Sequence, residues 1–423
     1  MAKFRIIGNM TGNSMDALDF VLTEFEGEKM TDICTYSIAY NASMQNKIEE
    51  LRRLVYNKTA FEIENLPIFH QIHDEYIQGI AKAINDMCAS YGLDKKKIDA
   101  IGFHGKTLDH NPPSKAHRNG DIPYTLQMGS GQMLADLTGI KVVYDFRSKL
   151  VMNGFEGAPL IPPHNAHIAL SEGDGIYYNG GNTSNFALVH NKVALIGSDA
   201  GPFNEYTDNF VRLHTDKSFD EDGQLGAKGK INKQLLQKIF ELGEGFYHNP
   251  LPKSGDPAYY HKQEIFDYVH EQRITFADAL RTFEYSAAYI ATYTLSQIPD
   301  TIALPDKIIL FGGGWKNPIV LADFKKLLCG EGIILSSHKK TFAELSQRFK
   351  KNPIIRYSSF GKYMEARLFA DMARYRLENR VWELAEVISS GKEIICGEIA
   401  EPMTERNKYL DKVNLAAKGW QCR

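Results

Sequence analysis

Gly8 to Asp19 is the first stretch of this chain whose residue types could do chemistry. It reads Gly8-Asn9-Met10-Thr11-Gly12-Asn13-Ser14-Met15-Asp16-Ala17-Leu18-Asp19. Backbone N–H groups and hydroxyls in such a turn form a nest for anions, typically nucleotide phosphates. Asp16 and Asp19 stand in the same turn. A carboxylate beside phosphates serves to orient Mg2+, directly or through water. The turn is not a Walker A loop, because G-x-x-x-x-G-K-[ST] is absent. A plain hairpin turn rich in Gly and Asn would look the same, so the segment alone leaves both readings open.

Other stretches pair chemistry with a bland alternative in the same way. Asp199-Ala200-Gly201-Pro202 puts a carboxylate before a glycine turn, just after a strand. Taking a proton from a sugar hydroxyl or a water needs such a group. The same Asp could instead cap the helix expected near Asn204. Gly312-Gly313-Gly314-Trp315-Lys316-Asn317 follows an apolar strand and opens a helix. Three glycines allow a flat ligand, a purine or ribose, close to the backbone; a tight strand–helix turn is the competing account. Asp145-Phe146-Arg147 lies at the carboxyl end of a strand, where α/β proteins bind ligands, or forms a structural Asp–Arg pair. His104 sits at a similar strand end, where a lone His is usually structural.

These residues need elements to hold them. Residues 4–8 and 18–25 read as strands around the first turn. Residues 45–93 show helical spacing of Ile48, Leu51, Leu54 and Val55, then of Ile72, Tyr76, Ile80 and Ile84. A strand over 98–103, a polar loop over 106–125, a helix over 131–138 and a strand over 140–144 follow. Later come strands at 176–178, 186–189, 193–196 and 308–311, with Asn191 in a hairpin turn. Helices are expected at 204–215, 231–242, 276–298, 319–329 and 360–378. The class is therefore α/β with mixed sheets. Strand, glycine turn, strand occurs once in each half. The halves are expected as two lobes around a central cleft, 1–150 joined by about 360–423, and 151–359.

Composition excludes more than it selects. Lys plus Arg is 49 against 52 Asp plus Glu, a net charge of −3, and a nucleic-acid binder would show a basic excess. Hydrophobic residues at 43% and charged ones at 24% exclude a disordered chain. No stretch approaches ~18 uninterrupted apolar residues, so no membrane span is expected. The first residues offer no apolar h-region and no small-residue cleavage site, so no secretory leader is expected. Cys34, Cys88, Cys329, Cys396 and Cys422 are scattered and odd in number, which reads as reduced thiols in a cytoplasm. The 13 histidines show no metal-ligand spacing.

The order of the motifs, phosphate turn, carboxylate turn, triple glycine, is that of the actin, sugar-kinase and heat-shock-chaperone superfamily. Within it the sequence resembles the anhydro-N-acetylmuramic acid kinases over roughly residues 5–380. That family's G-x-M-S-G-T-S-x-D-G-x-D is similar to Gly8 through Asp19. Its S-H-G-Q-T resembles Phe103-His104-Gly105-Lys106-Thr107, and its Q-x-G resembles Gln127-Met128-Gly129. Thr138 to Arg147 match T-G-I-x-V-V-x-D-F-R at every fixed position. Gly157 to His164 match G-A-P-L-x-P-x-H. Asp199 to Asn204 resemble D-T-G-P-G-N, Gly312 to Asn317 match G-G-G-x-x-N, and Glu365-Ala366 match a late E-A.

The departures are also specific. Asn13, Ala17, Lys106, Leu150, Phe155 and Phe203 replace a family Thr, Gly, Gln, an acidic residue, Gly and Gly. Asn182 departs from N-x-G-G, and K-S-T-G-R-E is reduced to Lys253-Ser254-Gly255-Asp256-Pro257. Bulky residues at former glycines suggest a reshaped substrate pocket.

The resemblance implies a two-lobed actin-like fold, ATP and Mg2+, and hydrolytic opening of a 1,6-anhydro bridge with phosphorylation of the freed oxygen. Gly12 to Asp19 would hold the β- and γ-phosphates, with Asp16 and Asp19 on Mg2+. Gly181, Gly312, Gly313, Gly314 and Asn317 would hold the rest of the nucleotide. Asp199 would be the general base and Glu365 would assist at the sugar. His104, Gln127, Asp145 and Arg147 would shape the sugar site. The implied partners are ATP and the anhydrosugar, in a homodimer, without nucleic acid or membrane. A kinase for another anhydrosugar, or a non-catalytic nucleotide-binding relative, remains open at this point.

Overall fold

Short apolar strands bounded by Gly and Asn turns set the architecture. The computed structural model describes residues 3–11, 17–55, 58, 62–63, 65–119, 122–255, 257–349 and 352–403; for 117–119, 257 and 258 it describes the backbone alone. The chain divides into two compact units. Unit 1 holds residues 1–157, 365–382 and 392–423, and unit 2 holds 158–364 and 383–391.

Unit 1 opens with strands β1 (Lys3–Thr11), β2 (Ala17–Glu26) and β3 (Lys29–Ala39). Helices α1 (Ala42–Val55) and α2 (Pro67–Ser90) follow. The expected helical stretch is thus two helices, and Pro67 stands at the start of the second, where a missing N–H costs nothing. After β4 (Ala100–Phe103) come β5 (Lys106–Asn111), α3 (Pro113–Asn119), β6 (Tyr124–Met128), α4 (Gly131–Thr138), β7 (Val142–Tyr144) and α5 (Ser148–Met152). Residues 106–125, expected as a loop, therefore contain a two-stranded ribbon of β5 and β6. Its facing pairs are Thr107 with Gln127 and His110 with Thr125, so no apolar alternation marks it.

Unit 2 runs through α6 (Pro162–Glu172), β8 (Gly175–Gly180), β9 (Thr183–His190), β10 (Val193–Pro202), α7 (Glu205–His214), α8 (Lys233–Leu242), α9 (Glu244–Tyr247), α10 (Lys262–Glu271) and α11 (Phe276–Ser296). It continues with β11 (Lys307–Phe311), α12 (Pro318–Leu328), α13 (Lys339–Arg348) and β12 (Ile354–Tyr357). Helix α14 (Met364–Leu377) returns the chain to unit 1. The short α15 (Ala385–Ser390) belongs to unit 2, and β13 (Glu398–Ala400) to unit 1. Asn191 and Lys192 join β9 to β10 with positive φ, the type I′ geometry that suits a twisted hairpin.

The two sheets share one topology. Unit 1 orders its strands β13-β7-β4-β1-β2-β3 and unit 2 orders them β10-β9-β8-β11-β12. In each, an antiparallel meander of three strands passes into two parallel strands. The α/β class with mixed sheets is as the sequence implies, and the repeat seen as strand, glycine turn, strand is a repeat of the whole sheet core.

In unit 1 one helix sits unusually close to the sheet. A Cβ on Gly8 would lie 1.8 Å from the Ala366 carbonyl oxygen, and one on Gly102 would lie 2.0 Å from that of Phe369. Glycine at both strands lets α14 rest backbone against backbone. Arg367 of that helix donates from Nε to Asp32 (3.0 and 3.2 Å), and Arg374 donates from Nη1 to the Gly27 carbonyl (2.7 Å). On the same sheet Ile7, Phe20, Leu22 and Ile101 form one core with Ile72, Tyr76, Ile80 and Ile84 of α2. Unit 2 is built around α11, whose residues from Ala279 to Leu295 are almost all buried, in a core rich in Phe, Tyr and Trp.

Gly8→Ala should destabilise the protein by about 3 kcal/mol, because the backbone it meets cannot yield. Gly79→Ala lies inside α2 with nothing within 4 Å of the new Cβ. It should stabilise by about 0.5–1 kcal/mol, the cost of glycine in a helix. Urea unfolding of the two variants would measure both; equal effects would contradict the packing described.

Candidate active site

In unit 1 the candidate residues leave neighbouring parallel strands. Phe103 of β4 pairs with Tyr144 of β7. His104 follows one strand and Asp145-Phe146-Arg147 the other, so both lie at carboxyl ends. Arg147 donates from Nε to His104 Nε2 (2.9 Å) and from Nη1 to the Gly157 carbonyl (2.5 Å). His104 Nδ1 donates to the Gly105 carbonyl (3.0 Å), which fixes its tautomer. Burial, then the Arg147 charge, hold His104 well below the usual histidine range, so it is neutral. Its ring lies 4.6 Å from that of Phe369 on α14.

Asp145 does local work. It adopts φ +54°, and its Oδ1 accepts from Ser148 N (3.2 Å) and Ser148 Oγ (2.6 Å), which holds the first turn of α5. Gln127 donates from Nε2 to Thr125 Oγ1 (2.8 Å) on its own strand and to Thr107 Oγ1 (3.5 Å) across the ribbon.

Gly12, Asn13, Ser14, Met15 and Asp16 lie outside the described residues. Ala17, Leu18 and Asp19 begin β2. Leu18 turns its side chain into the core, which leaves only its backbone for a ligand. Asp19 Oδ1 accepts from Ser37 Oγ (2.7 Å), and its other oxygen accepts nothing among the described residues. Glu365, in the first turn of α14, feels the Asp19 charge. Burial raises the Glu365 carboxyl and Asp19 raises it further, while Arg147 and Lys106 pull it down. Asp19, with one oxygen uncommitted among the described residues, offers the hard oxygen donor that a divalent cation takes.

In unit 2 the carboxylate differs from expectation. Asp199 does not follow a strand; it lies within β10, where the register with β9 shifts between Asp199 and Gly201. Nor does it cap the next helix, whose N-cap position is Asn204. Its Oδ2 accepts from Gly255 N (2.7 Å), and its own N–H donates to the Lys253 carbonyl (3.0 Å). Lys253 N donates to Ser198 Oγ (2.9 Å). The loop 253–255 is thereby stitched to β10 and fixes the Asp199 carboxylate. Lys253 Nζ anchors the loop by donating to the carbonyls of Tyr247 (3.0 Å) and Phe246 (3.4 Å) and to Gln297 Oε1 (2.9 Å). This loop was visible in the sequence only as a worn family motif.

The glycine turns serve packing first. A Cβ on Gly312 would lie 2.5 Å from Asn179 Oδ1 and 2.7 Å from the Gly180 carbonyl; one on Gly314 would strike Asn204 and Phe203. Only Gly313 meets nothing within 4 Å. The close approach expected for a ligand is therefore made at Gly312 and Gly314 by the protein itself, and Gly313 is the open position. Gly181 accepts from Asn204 N (3.2 Å). Asn317 is committed as well: Oδ1 accepts from Ile319 N (3.0 Å) at the start of α12, and Nδ2 donates to Glu284 Oε1 (2.8 Å). Phe203 is 1% exposed with its ring 4.5 Å from Trp315, so this departure fills the interior of unit 2 rather than a pocket.

Glu284 carries no signal in the sequence, since it lies mid-helix. It is fully buried beside Asp220, whose carboxylate accepts from Leu225 N and Gly226 N. Burial, reinforced by the Asp220 charge, pushes its carboxyl up to about 8, so it is protonated at neutral pH.

The described cysteines Cys34, Cys88, Cys329 and Cys396 are free thiols, and Cys422 lies outside the described residues. No helix among the described residues is long and apolar enough to cross a membrane.

The family model for anhydro-N-acetylmuramic acid kinase matches residues 4–346. The anhydro-N-acetylmuramic acid kinase of Vibrio vulnificus is 27% identical over 392 residues, covering 91% of this chain and 95% of that one. The Brucella canis protein of the same name is 30% identical over 340 residues, covering 78% and 84%. Among solved structures, a ROK family glucokinase from Streptomyces griseus in complex with glucose and AMPPNP aligns at TM-score 0.38 and 14% identity, covering 88% of this chain and 99% of that one.

Two consequences can be measured. Lys253→Met removes a donor from three oxygens, though the Tyr247 carbonyl keeps Gln297 Nε2 (2.7 Å) and the Phe246 carbonyl keeps Asn249 N (3.1 Å); it should cost about 1 kcal/mol in urea unfolding, and no loss would mean the ammonium anchors nothing. Glu284 has its carboxyl raised from 4.5 to about 8 on folding. Its proton is retained in the folded state while the unfolded chain gives it up, so stability falls as pH rises between those values, by about 1.4 kcal/mol per unit. Glu284→Gln should therefore gain on the wild type as pH rises from 4.5 to about 8. A difference independent of pH would refute the shift.

Proposed function

The chain belongs to the anhydro-N-acetylmuramic acid kinase family, and on that premise we propose how its residues carry out the reaction. It is a kinase acting on anhydro-N-acetylmuramic acid with ATP. Water attacks the anomeric carbon, the bond from that carbon to O6 breaks, and the freed O6 takes the γ-phosphoryl group, releasing ADP.

Asp199 is the general base that takes the proton from the attacking water. The observation that carries this role is its seat: a carboxylate 8% exposed, fixed by Gly255 N and by the backbone of Lys253. A base oriented in advance spends nothing on ordering in the transition state. Gly12 to Asp19 hold the β- and γ-phosphates through backbone donors, and Gly181 and Gly312 to Gly314 with Asn317 form the nucleotide side of unit 2. There Gly313 is the position with room for a ligand, and Asn317 acts by holding the turn to α11. Asp16 and Asp19 would hold Mg2+, which supplies charge neutralisation at the phosphates.

The sugar site is read from unit 1. Neutral His104, held by Arg147, can donate or accept only in one fixed sense. Gln127, Asp145 and Arg147 complete its walls, and Glu365 acts at the sugar. The resemblance further supports a cytoplasmic homodimer serving the recycling of peptidoglycan sugars.

Asp199→Asn should lower turnover by about 10²–10⁴-fold, the usual worth of a positioned base. ADP release from Mg-ATP and 1,6-anhydro-N-acetylmuramic acid measures it. Unchanged turnover would take Asp199 out of the role. Binding of ATP without ADP release on any of a panel of anhydrosugars would overturn the kinase reading itself.

A further inference from the structure

Asn185 stands directly across from Asp199. The two are register partners on the antiparallel strands β9 and β10. Directly opposed residues of such a pair carry their Cβ atoms about 4.5–5.5 Å apart on one face of the sheet. Asn179 of β8 is level with Asn185, so three polar side chains form a row across that face. Phe186 and Ala200, the next residues along β9 and β10, turn to the other face and join the core with α11.

Other groups on the polar face are engaged. Ala187 and Gly197, the next pair, lie under α6: a Cβ on Gly197 would stand 2.0 Å from Pro162 Cγ. Thr183 Oγ1 shares a hydrogen bond with Tyr260 OH (3.2 Å). Asp199 Oδ2 accepts from Gly255 N (2.7 Å). Asn179 Oδ1 lies against the triple-glycine turn, 2.5 Å from where a Cβ on Gly312 would stand. Asn185 Oδ1, by contrast, is buried with no hydrogen-bond partner among the described residues. Buried amide oxygens are nearly always paired, and one left bare costs about 1–3 kcal/mol. Its place, opposite a carboxylate fixed in advance, says what would pair with it.

We propose that Asn185 is a second catalytic residue of this site: its side-chain amide holds the attacking water against Asp199. The inference rests on the kinase reading and on Asp199 as the base. One O–H of the water points to the Asp199 carboxylate and the other to the Asn185 amide oxygen. A lone pair of the water is left for the anomeric carbon. As the new C–O bond forms, the water proton passes to Asp199. The electrons of the broken bond stay on O6, which takes the γ-phosphoryl group. Asn185 exchanges no proton; it orients. A nucleophile held at two points is ordered before the transition state.

Initial rates of ADP release from Mg-ATP and 1,6-anhydro-N-acetylmuramic acid test this in four forms of the full-length protein: wild type, Asn185→Leu, Asp199→Asn and the double variant. Asn185→Leu keeps the shape and removes the polar atoms. It should lower kcat by about 10²-fold, the effect of a misplaced reacting group, with the KM for ATP unchanged within about twofold. In the Asp199→Asn background the same change should lower kcat by less than about threefold, because residues that act as one unit are not additive. A substitution that acted only through the fold would multiply its loss onto that of Asp199→Asn. Should Asn185→Leu fail to fold, Asn185→Ala takes its place in both comparisons. Unchanged kcat overturns the inference and leaves the kinase reading standing, and so does a loss that multiplies in the double variant. Wild-type protein that releases no ADP with any anhydrosugar overturns the kinase reading, and the role of Asn185 falls with it.

Discussion

Backbone lying against backbone, with no room for a Cβ, positions the candidate residues in each unit. In unit 1 the Ala366 and Phe369 carbonyls rest over Gly8 and Gly102. That contact sets the height of α14 above the sheet and therefore the place of Glu365 at its first turn. It also brings Phe369 to the ring of His104. In unit 2 Gly312 meets Asn179 and Gly180, and Gly314 meets Phe203 and Asn204. The triple-glycine turn, the β8–β9 turn and the end of β10 are thereby one packed piece. A side chain at any of these glycines would move an element rather than a rotamer, and packed interiors transmit such shifts instead of absorbing them.

The charges that matter are few and deep. A net charge of −3 does not exclude a triphosphate ligand, because backbone N–H groups can do the work that a basic surface does elsewhere. The ionisable groups inside are each given specific neighbours. Lys253 has three oxygens, Glu284 has Asn317 and its own proton, and Arg147 has His104 and a carbonyl. Neighbours of this kind fix geometry; a buried charge left bare would cost more than a typical domain can spare.

Local signals in the sequence located most elements but not their extent. Ile308 to Phe311 is an apolar run and forms β11, and the spacing over 276–298 gives α11 to within a turn. The ribbon of β5 and β6 escaped because its facing residues are Thr, His and Gln, which carry no period. β10 runs past Ile196 to Pro202 because Ser198 and Asp199 gain partners from a loop more than fifty residues away. The site followed the same rule. Motifs named Asp199, Arg147 and Glu365, whereas Lys253 and Glu284 became informative only through contacts that no local pattern encodes.

Departures from the family pattern separate by what surrounds them. Phe203 packs on Trp315, and Leu150 is fully buried in α5, where its carbonyl accepts from Phe155 N (3.0 Å). Phe155 lies under the Lys392 ammonium, 5.3 Å from its ring centroid. Each of these fills space within its own unit, and interiors tolerate such exchanges when neighbours change in step. Lys106 is of another kind, since it puts an amine 1% exposed where the family pattern has a neutral side chain, and burial pushes that amine down to about 7. Substitutions that only repack leave the reaction class where the family has it, so the departures that bear on chemistry are those that change a polar or charged group, Lys106 and, in the first glycine turn, Asn13.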